Sequence, residues 1–179
     1  MPEAEPLCHT TMIETSRLQI RPLTASELQQ HLDSPAAFAL SLGVTPSVSL
    51  LDPETRDAIL NDLLPHLNDP AKDARFYTMW ILIEKAQKAI IGGICFHGEP
   101  DDEGVVEIGY GTDPEYQNKG YMTETIAGMI GWLRLQKQVR AIIAETEKSN
   151  LASIKVLNNN GFMPVKEAGE AVLLRLEMV

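Results

Sequence analysis

The residues best suited to chemistry lie in one short stretch, Gln117-Asn118-Lys119-Gly120-Tyr121-Met122-Thr123. An apolar, strand-like run precedes it and an amphipathic, helix-like run follows. A loop that delivers successive backbone N–H groups at the start of a helix binds anions, because those amides have no partner inside the helix. Gly120 lets the backbone come close to a phosphate, Lys119 adds positive charge and Thr123 offers a hydroxyl. The spacing is not that of a P-loop, which ends in Gly-Lys-Ser/Thr, nor of a Gly-x-Gly-x-x-Gly dinucleotide fingerprint. Neither pattern occurs in the chain.

Other reactive types are scattered. Glu107 sits in the strand-like run, and Asn150 and Ser153 open a later helical segment. Cys95 can be imagined as an acyl-accepting nucleophile, but among apolar neighbours it reads as packed core. Trp80, Trp132 and Tyr77 either line a pocket or fill the core, and the second is the commoner use of such residues. Asp101-Asp102-Glu103 reads as a solvated turn. The two cysteines, Cys8 and Cys95, and the four histidines have no metal-ligand spacing, so no metal is expected.

The elements that must position these groups follow from periodicity. Arg17–Leu23 alternates as a strand ended by proline. Thr24 or Ser26 caps a helix to about Leu32, and a second helical piece covers Ala36–Leu42. Asp52-Pro53 is an N-cap followed by proline at the first helical position, with helix to about Leu67. Phe76–Glu84 is rich in aromatic and β-branched residues and reads as a strand. A turn at Lys85–Lys88 leads to the strand Ala89–Phe96, where Gly92-Gly93 signals a bulge or a close backbone approach. The stretch Gly98–Gly104 closes a hairpin into the strand Val105–Gly111.

A helix from about Lys119 to Gln136 then carries Met122, Ile126, Met129, Ile130 and Leu133 on one face. Gly128 and Gly131 within it each cost about 1 kcal/mol relative to alanine, which close packing against a sheet would explain. Arg140–Thr146 is a strand, Asn150–Asn160 a helix, and Phe162–Lys166 and Ala171–Met178 are strands. The 179 residues suit one α/β domain.

A hydrophobic fraction of 44% and a charged fraction of 22% are those of a globular protein, and no apolar run reaches the length of a membrane helix. The first 17 residues have neither the basic nor the apolar region of a signal peptide, so a cytoplasmic location is expected. Residues 1–12 read as a disordered tail and 13–179 as the domain. The formal charge of -10 argues against a nucleic-acid surface. It suits either attraction of a cationic amine or plain solubility.

The loop Gln117–Met122 resembles the Gln/Arg-x-x-Gly-x-Gly/Ala pyrophosphate loop of the GNAT acetyltransferases, with Met122 where that family usually has glycine or alanine. Asn150–Phe162 resembles the family's Asn-x-x-Ser/Ala…Gly-Phe motif, and Glu107-Ile108-Gly109-Tyr110 its central strand. Glu14–Leu23 is similar to the opening strand of the RimJ/RimL-type ribosomal-protein N-terminal acetyltransferases. The matches stand in the family's order and span nearly the whole chain.

The resemblance implies a central mixed, mostly antiparallel sheet, flanked by helices and splayed between two parallel strands, Val105–Thr112 and Arg140–Thr146. It implies acetyl-CoA as co-substrate, its pantetheine arm paired with backbone at Tyr110, Gly111 and Thr112. The pyrophosphate would rest on Gln117, Asn118, Lys119, Gly120, Tyr121, Met122 and Thr123. The acceptor would be a primary amine, either a protein N-terminus or a small molecule.

Such an amine has a pKa near ~10 and must lose a proton to attack a thioester. Glu107 is the candidate base, or else a carboxylate that orients substrate or pairs with a neighbouring arginine. Asn150 would touch the cofactor arm, and it also suits a helix N-cap. Ser153 would donate to the thiolate or the arm, or is simply a small helix residue. The family's frequent tyrosine acid falls at Leu157, so that role is vacant. The alternative is a non-catalytic acyl-CoA-binding module. An interaction protein without cofactor leaves the ordered motifs unaccounted for. Family analogy also allows a homodimer.

Overall fold

Local sequence sets the ends of most elements. Thr24 and Glu27 form a reciprocal capping box, each side chain accepting from the other's amide, and start α1 (Ala25–Asp33). Pro35 opens α2 (Pro35–Ser41), and the Asp52 carboxylate accepts from the Thr55 amide to start α3 (Pro53–Ala58). A π-helical turn, Ile59–Leu63, joins α3 to α4 (Leu64–Leu67). The computed structural model describes residues 12–47 and 51–178, so the expected tail lies outside the described residues except for Met12.

The strands are β1 (Ile13–Glu14), β2 (Leu18–Pro22), β3 (Met79–Glu84), β4 (Ala89–Phe96), β5 (Val105–Thr112), β6 (Ala141–Glu147), β7 (Met163–Ala168) and β8 (Ala171–Glu177). Helices α5 (Tyr121–Leu133) and α6 (Leu151–Asn159) flank β6 in sequence. The strands form one sheet in the order β1-β2-β3-β4-β5-β6-β8-β7, antiparallel except where β5 meets β6. Helices cover both faces. Leu28, Leu32, Phe38 and Ile59 pack with Ile81, Ile83 and Ile90 on one side. Met122, Ile126, Met129 and Leu157 pack with Ile20, Trp80, Phe96 and Ile108 on the other. β3 is therefore buried along its whole length.

Three expectations shift. The aromatic stretch from Phe76 is not strand until Met79, because the Asp73 carboxylate caps a 3₁₀ turn over Ala74–Phe76 and Trp80 donates its indole N–H to the Arg75 carbonyl, 3.0 Å away. α5 begins at Tyr121, since Asn118 (φ 59°) and Gly120 (φ 80°) are left-handed. Packing accounts for Gly128, where a Cβ would lie 3.1–3.2 Å from Thr15, Ile13 and Ile20; at Gly131 it would meet nothing within 4 Å.

The feature that shapes the site is a split in the sheet. β5 and β6 pair only from Val105↔Ala141 to Glu107↔Ile143. Beyond that point β5 stays with β4 as far as Thr112, and β6 stays with β8 as far as Glu147. Among the described residues, no strand pairs with the backbone edge of residues 108–112 that would face β6.

Candidate active site

Alternation along β5 divides its side chains between the two faces. Ile108 is buried beneath α5 and α6, and Tyr110 packs on the same core. Glu107, Gly109 and Gly111 therefore face the side of α3. There, a cavity of about 420 Å³ lies between Asp52, Glu54 and Thr55 on one wall and Gly93, Cys95, His97, Gly109 and Gly111 on the other. Glycine keeps this floor thin. A Cβ at Gly92 would stand 2.2 Å from the Gly111 carbonyl oxygen, while one at Gly111 would meet nothing within 4 Å. The bulge signalled by Gly92-Gly93 is present, with register shifting in the β3–β4 ladder beside Gly92.

Burial pushes the Cys95 thiol up to about 11, only partly offset by a hydrogen bond with the Gly109 backbone. The thiol stays protonated at neutral pH and is no nucleophile. Trp80 and Trp132 pack against each other in the core at a tilt of 58°, 5.0 Å between ring centroids, and do not line the cavity.

Glu107 Oε1 lies 3.2 Å from His97 Nδ1. The two residues face each other across the β4–β5 ladder, where the His97 amide donates to the Glu107 carbonyl at 3.0 Å. Sequence reading passed over His97. The register of the Gly98–Gly104 hairpin is the signal that could have found it, since it sets His97 opposite Glu107.

On the other face, the Tyr110 hydroxyl and Ser153 Oγ are 2.8 Å apart, joining β5 to α6 across the split. Burial raises the Tyr110 pKa and the Ser153 contact opposes it, so the phenol keeps its proton. Asn150 Oδ1 accepts from the Ser153 amide at 3.0 Å, which makes Asn150 the N-cap of α6.

The loop into α5 is braced from outside. Gln117 donates its amide N–H to the Thr112 carbonyl at 3.0 Å, and the Lys119 ammonium sits 5.4 Å over the Tyr116 ring. Arg17 donates to the Lys119 carbonyl at 2.9 Å, pairs with Glu124 at 2.7 Å and lies over the Tyr121 ring. Burial opposes charge on Glu124, but hydrogen bonds from Thr15 and from the Arg17 amide and guanidinium outweigh it and hold its carboxyl below the usual range. Tyr121 and Met122 are buried, so at those positions only backbone is offered to a ligand. The amides of Asn118, Lys119 and Gly120 donate to no backbone carbonyl among the described residues. Those of Tyr121, Met122 and Thr123 belong to the first helical turn and have no intrahelical partner. The Thr123 carbonyl accepts from Asn160, 3.2 Å away. Loop amides, open β5 edge and cavity thus converge at the C-terminal end of β5. Among the described residues, no group of three or more His, Cys, Asp and Glu could hold a metal, and no helix is long and apolar enough to cross a membrane.

Residues 17–163 match the family described as Acetyltransferase (GNAT) domain. The chain belongs to this family and is an acetyltransferase. An uncharacterized N-acetyltransferase of Bacillus subtilis, YjdG, is 29% identical over 159 residues, 85% of this chain and 89% of that protein. Among solved structures, the fold is similar to the ribosomal-protein-S5-alanine acetyltransferase of Vibrio fischeri (TM-score 0.65, 20% identity, 93% and 96% of the two chains). It is also similar to RimL, a ribosomal L7/L12 alpha-N-protein acetyltransferase in complex with coenzyme A (TM-score 0.66, 16% identity, 94% and 98%). The split, mostly antiparallel sheet expected for this family, with helices on both faces, is the one observed.

Proposed function

We propose that this acetyltransferase moves the acetyl group of acetyl-CoA to a primary amine in the cytoplasm, by direct attack of the amine on the thioester. The observation that carries the reading is the start of α5. Its loop is held open by left-handed Gly120, offers amides unpaired among the described residues, and stands beside the stretch of β5 that leaves β6. A pyrophosphate fits that geometry, since the amides and the helix dipole both favour an anion. An extended amide-containing arm fits the edge at Tyr110, Gly111 and Thr112, which has backbone donors and acceptors to share. When bound, acetyl-CoA supplies the activated acetyl thioester.

The chain's own groups do the rest. The acidic wall of the cavity, Asp52 and Glu54, attracts a cationic amine. Glu107 belongs to the machinery that relieves the amine of its proton. Ser153, hydrogen-bonded to a protonated Tyr110, donates to the departing thiolate. This pair occupies the role for which Leu157 offers no hydroxyl. The names of the ribosomal-protein acetyltransferases with this fold favour a protein α-amine as acceptor.

The test is calorimetric titration with acetyl-CoA, for the wild type and for Gly120→Glu, followed by thiol detection with amine acceptors. The expected result is micromolar binding that the variant loses, and free thiol released in proportion to an N-terminal peptide. Absence of acetyl-CoA binding by the wild type overturns the reading.

A further inference from the structure

Glu107 stands beside the cavity rather than in its lining, and its partner His97, which does line it, is the better placed of the two. His97 follows β4 directly and is held opposite Glu107 by the hydrogen bond from its amide to the Glu107 carbonyl, 3.0 Å. Its Nδ1 is 3.2 Å from Glu107 Oε1. Its other ring nitrogen lies over Gly109: a Cβ built there would come within 2.9 Å of His97 Nε2. The ring thus runs along the floor of the cavity from Glu107 toward Gly109 and Gly111, where the strand edge opens. His97 lines that cavity.

A carboxylate close to Nδ1, here 3.2 Å away, favours the tautomer whose proton sits on that nitrogen, which leaves the lone pair on Nε2. The ring is therefore aimed, with its basic nitrogen on the side from which an acceptor would approach β5. Gly109 is the residue that makes room for it.

We propose that His97 Nε2 is the proton acceptor for the amine and that Glu107 is the positioning carboxylate behind it. The inference rests on the acetyl-transfer reading above and names the base within it. In the step, the amine nitrogen's lone pair forms the C–N bond and the C–S bond breaks, its electron pair leaving on sulfur. Nitrogen loses two protons, one as the ammonium before attack and one from the adduct; each goes to Nε2, which passes the first to solvent before taking the second, and the thiolate takes one from Ser153, which Tyr110 resupplies. Solvent then removes the proton from His97 and returns one to Tyr110.

The test combines two readouts on the full chain. Long-range ¹H–¹⁵N NMR of the free protein, at a pH where the ring carries a single proton, is expected to place that proton on His97 Nδ1, and Glu107→Gln to redistribute it. With a seryl- or alanyl-N-terminal peptide as acceptor, His97→Ala is expected to lower kcat by about 100-fold or more, the usual contribution of a general base. Acetyl-CoA affinity should stay unchanged, and added imidazole should restore part of the rate. A proton on Nε2, or a His97→Ala variant as active as wild type beside an inactive Glu107→Gln, overturns the proposal and returns the base to Glu107. Wild type that binds acetyl-CoA yet acetylates neither peptides nor polyamines overturns the transfer reading itself, and the proposal with it.

Discussion

The starts of α5 and α6 are built from opposite choices. α6 is closed by its own Asn150, whose side chain accepts from the Ser153 amide, and α1 and α3 are closed likewise by Thr24 and Asp52. α5 has no such side chain and begins on left-handed Gly120. A side-chain cap typically contributes about 1 kcal/mol. α5 forgoes it beside the gap in the sheet, which leaves its first amides open, and under the proposed function they take the pyrophosphate. Under that function, the difference separates a helix start that serves the fold from one that serves a ligand.

The largest expected effect comes from closing the α5 start. Gly120→Glu places a carboxylate among the open amides and forces an L-residue into φ 80°. Acetyl-CoA Kd should rise at least a thousandfold, roughly 4 kcal/mol. Circular dichroism should report a retained fold with a modest loss of stability, and unchanged affinity would refute the assignment of these amides.

The contrast sharpens against polar groups that are unpaired and buried. His31 is 1% exposed, and neither ring nitrogen has a hydrogen-bond partner among the described residues. Burial lowers its pKa from 6.5 to about 4. The unfolded chain therefore takes up the proton first, and stability is full above pH 6.5 and declines as pH falls toward 4. The loss should reach about 3 kcal/mol. Urea titrations over that range should show it, and His31→Leu should flatten the curve; an equal slope in the variant would locate the proton uptake elsewhere.

Arg17 tests the brace rather than the amides. Arg17→Ala removes its bonds to Lys119 and Glu124 and its stacking on Tyr121. It should weaken acetyl-CoA binding about tenfold, roughly 1.4 kcal/mol, and Arg17→Lys should not restore it, because lysine lacks the planar fork. The smallest effect should follow Asn150→Ala, about 1 kcal/mol of unfolding free energy, recovered by Asn150→Asp. Acetyl-CoA affinity should change little, and a large loss there would give Asn150 a ligand role beyond the cap.

Much of this contrast was legible in the sequence, because its signals are local. Asp52-Pro53, Asn150 and the Gln117–Thr123 loop declare helix starts by residue type, and the alternation in Val105–Thr112 declares its strand. The split between β5 and β6 came from family resemblance, not from periodicity, since nothing in either strand alone says where pairing stops. Contacts between elements were out of reach. The Tyr110–Ser153 bond spans 43 positions, and the Arg17–Glu124 pair 107. His97 was missed because a histidine just past a strand carries no local mark. The two-residue β1 and the π-helical turn after Ala58 leave no periodic trace, and the aromatic 3₁₀ turn over Ala74–Phe76 imitates a strand.

The short pairing of β5 with β6 also bears on how long the protein survives. A sheet interrupted at its middle is unfinished, and under the proposed function the molecule that completes it is consumed in the reaction. Binding to the folded state alone stabilises it by about 2.7 kcal/mol at a ligand concentration a hundred times Kd. The turnover of this enzyme by cellular proteases would then follow the supply of acetyl-CoA, starved cells losing the catalyst along with its fuel.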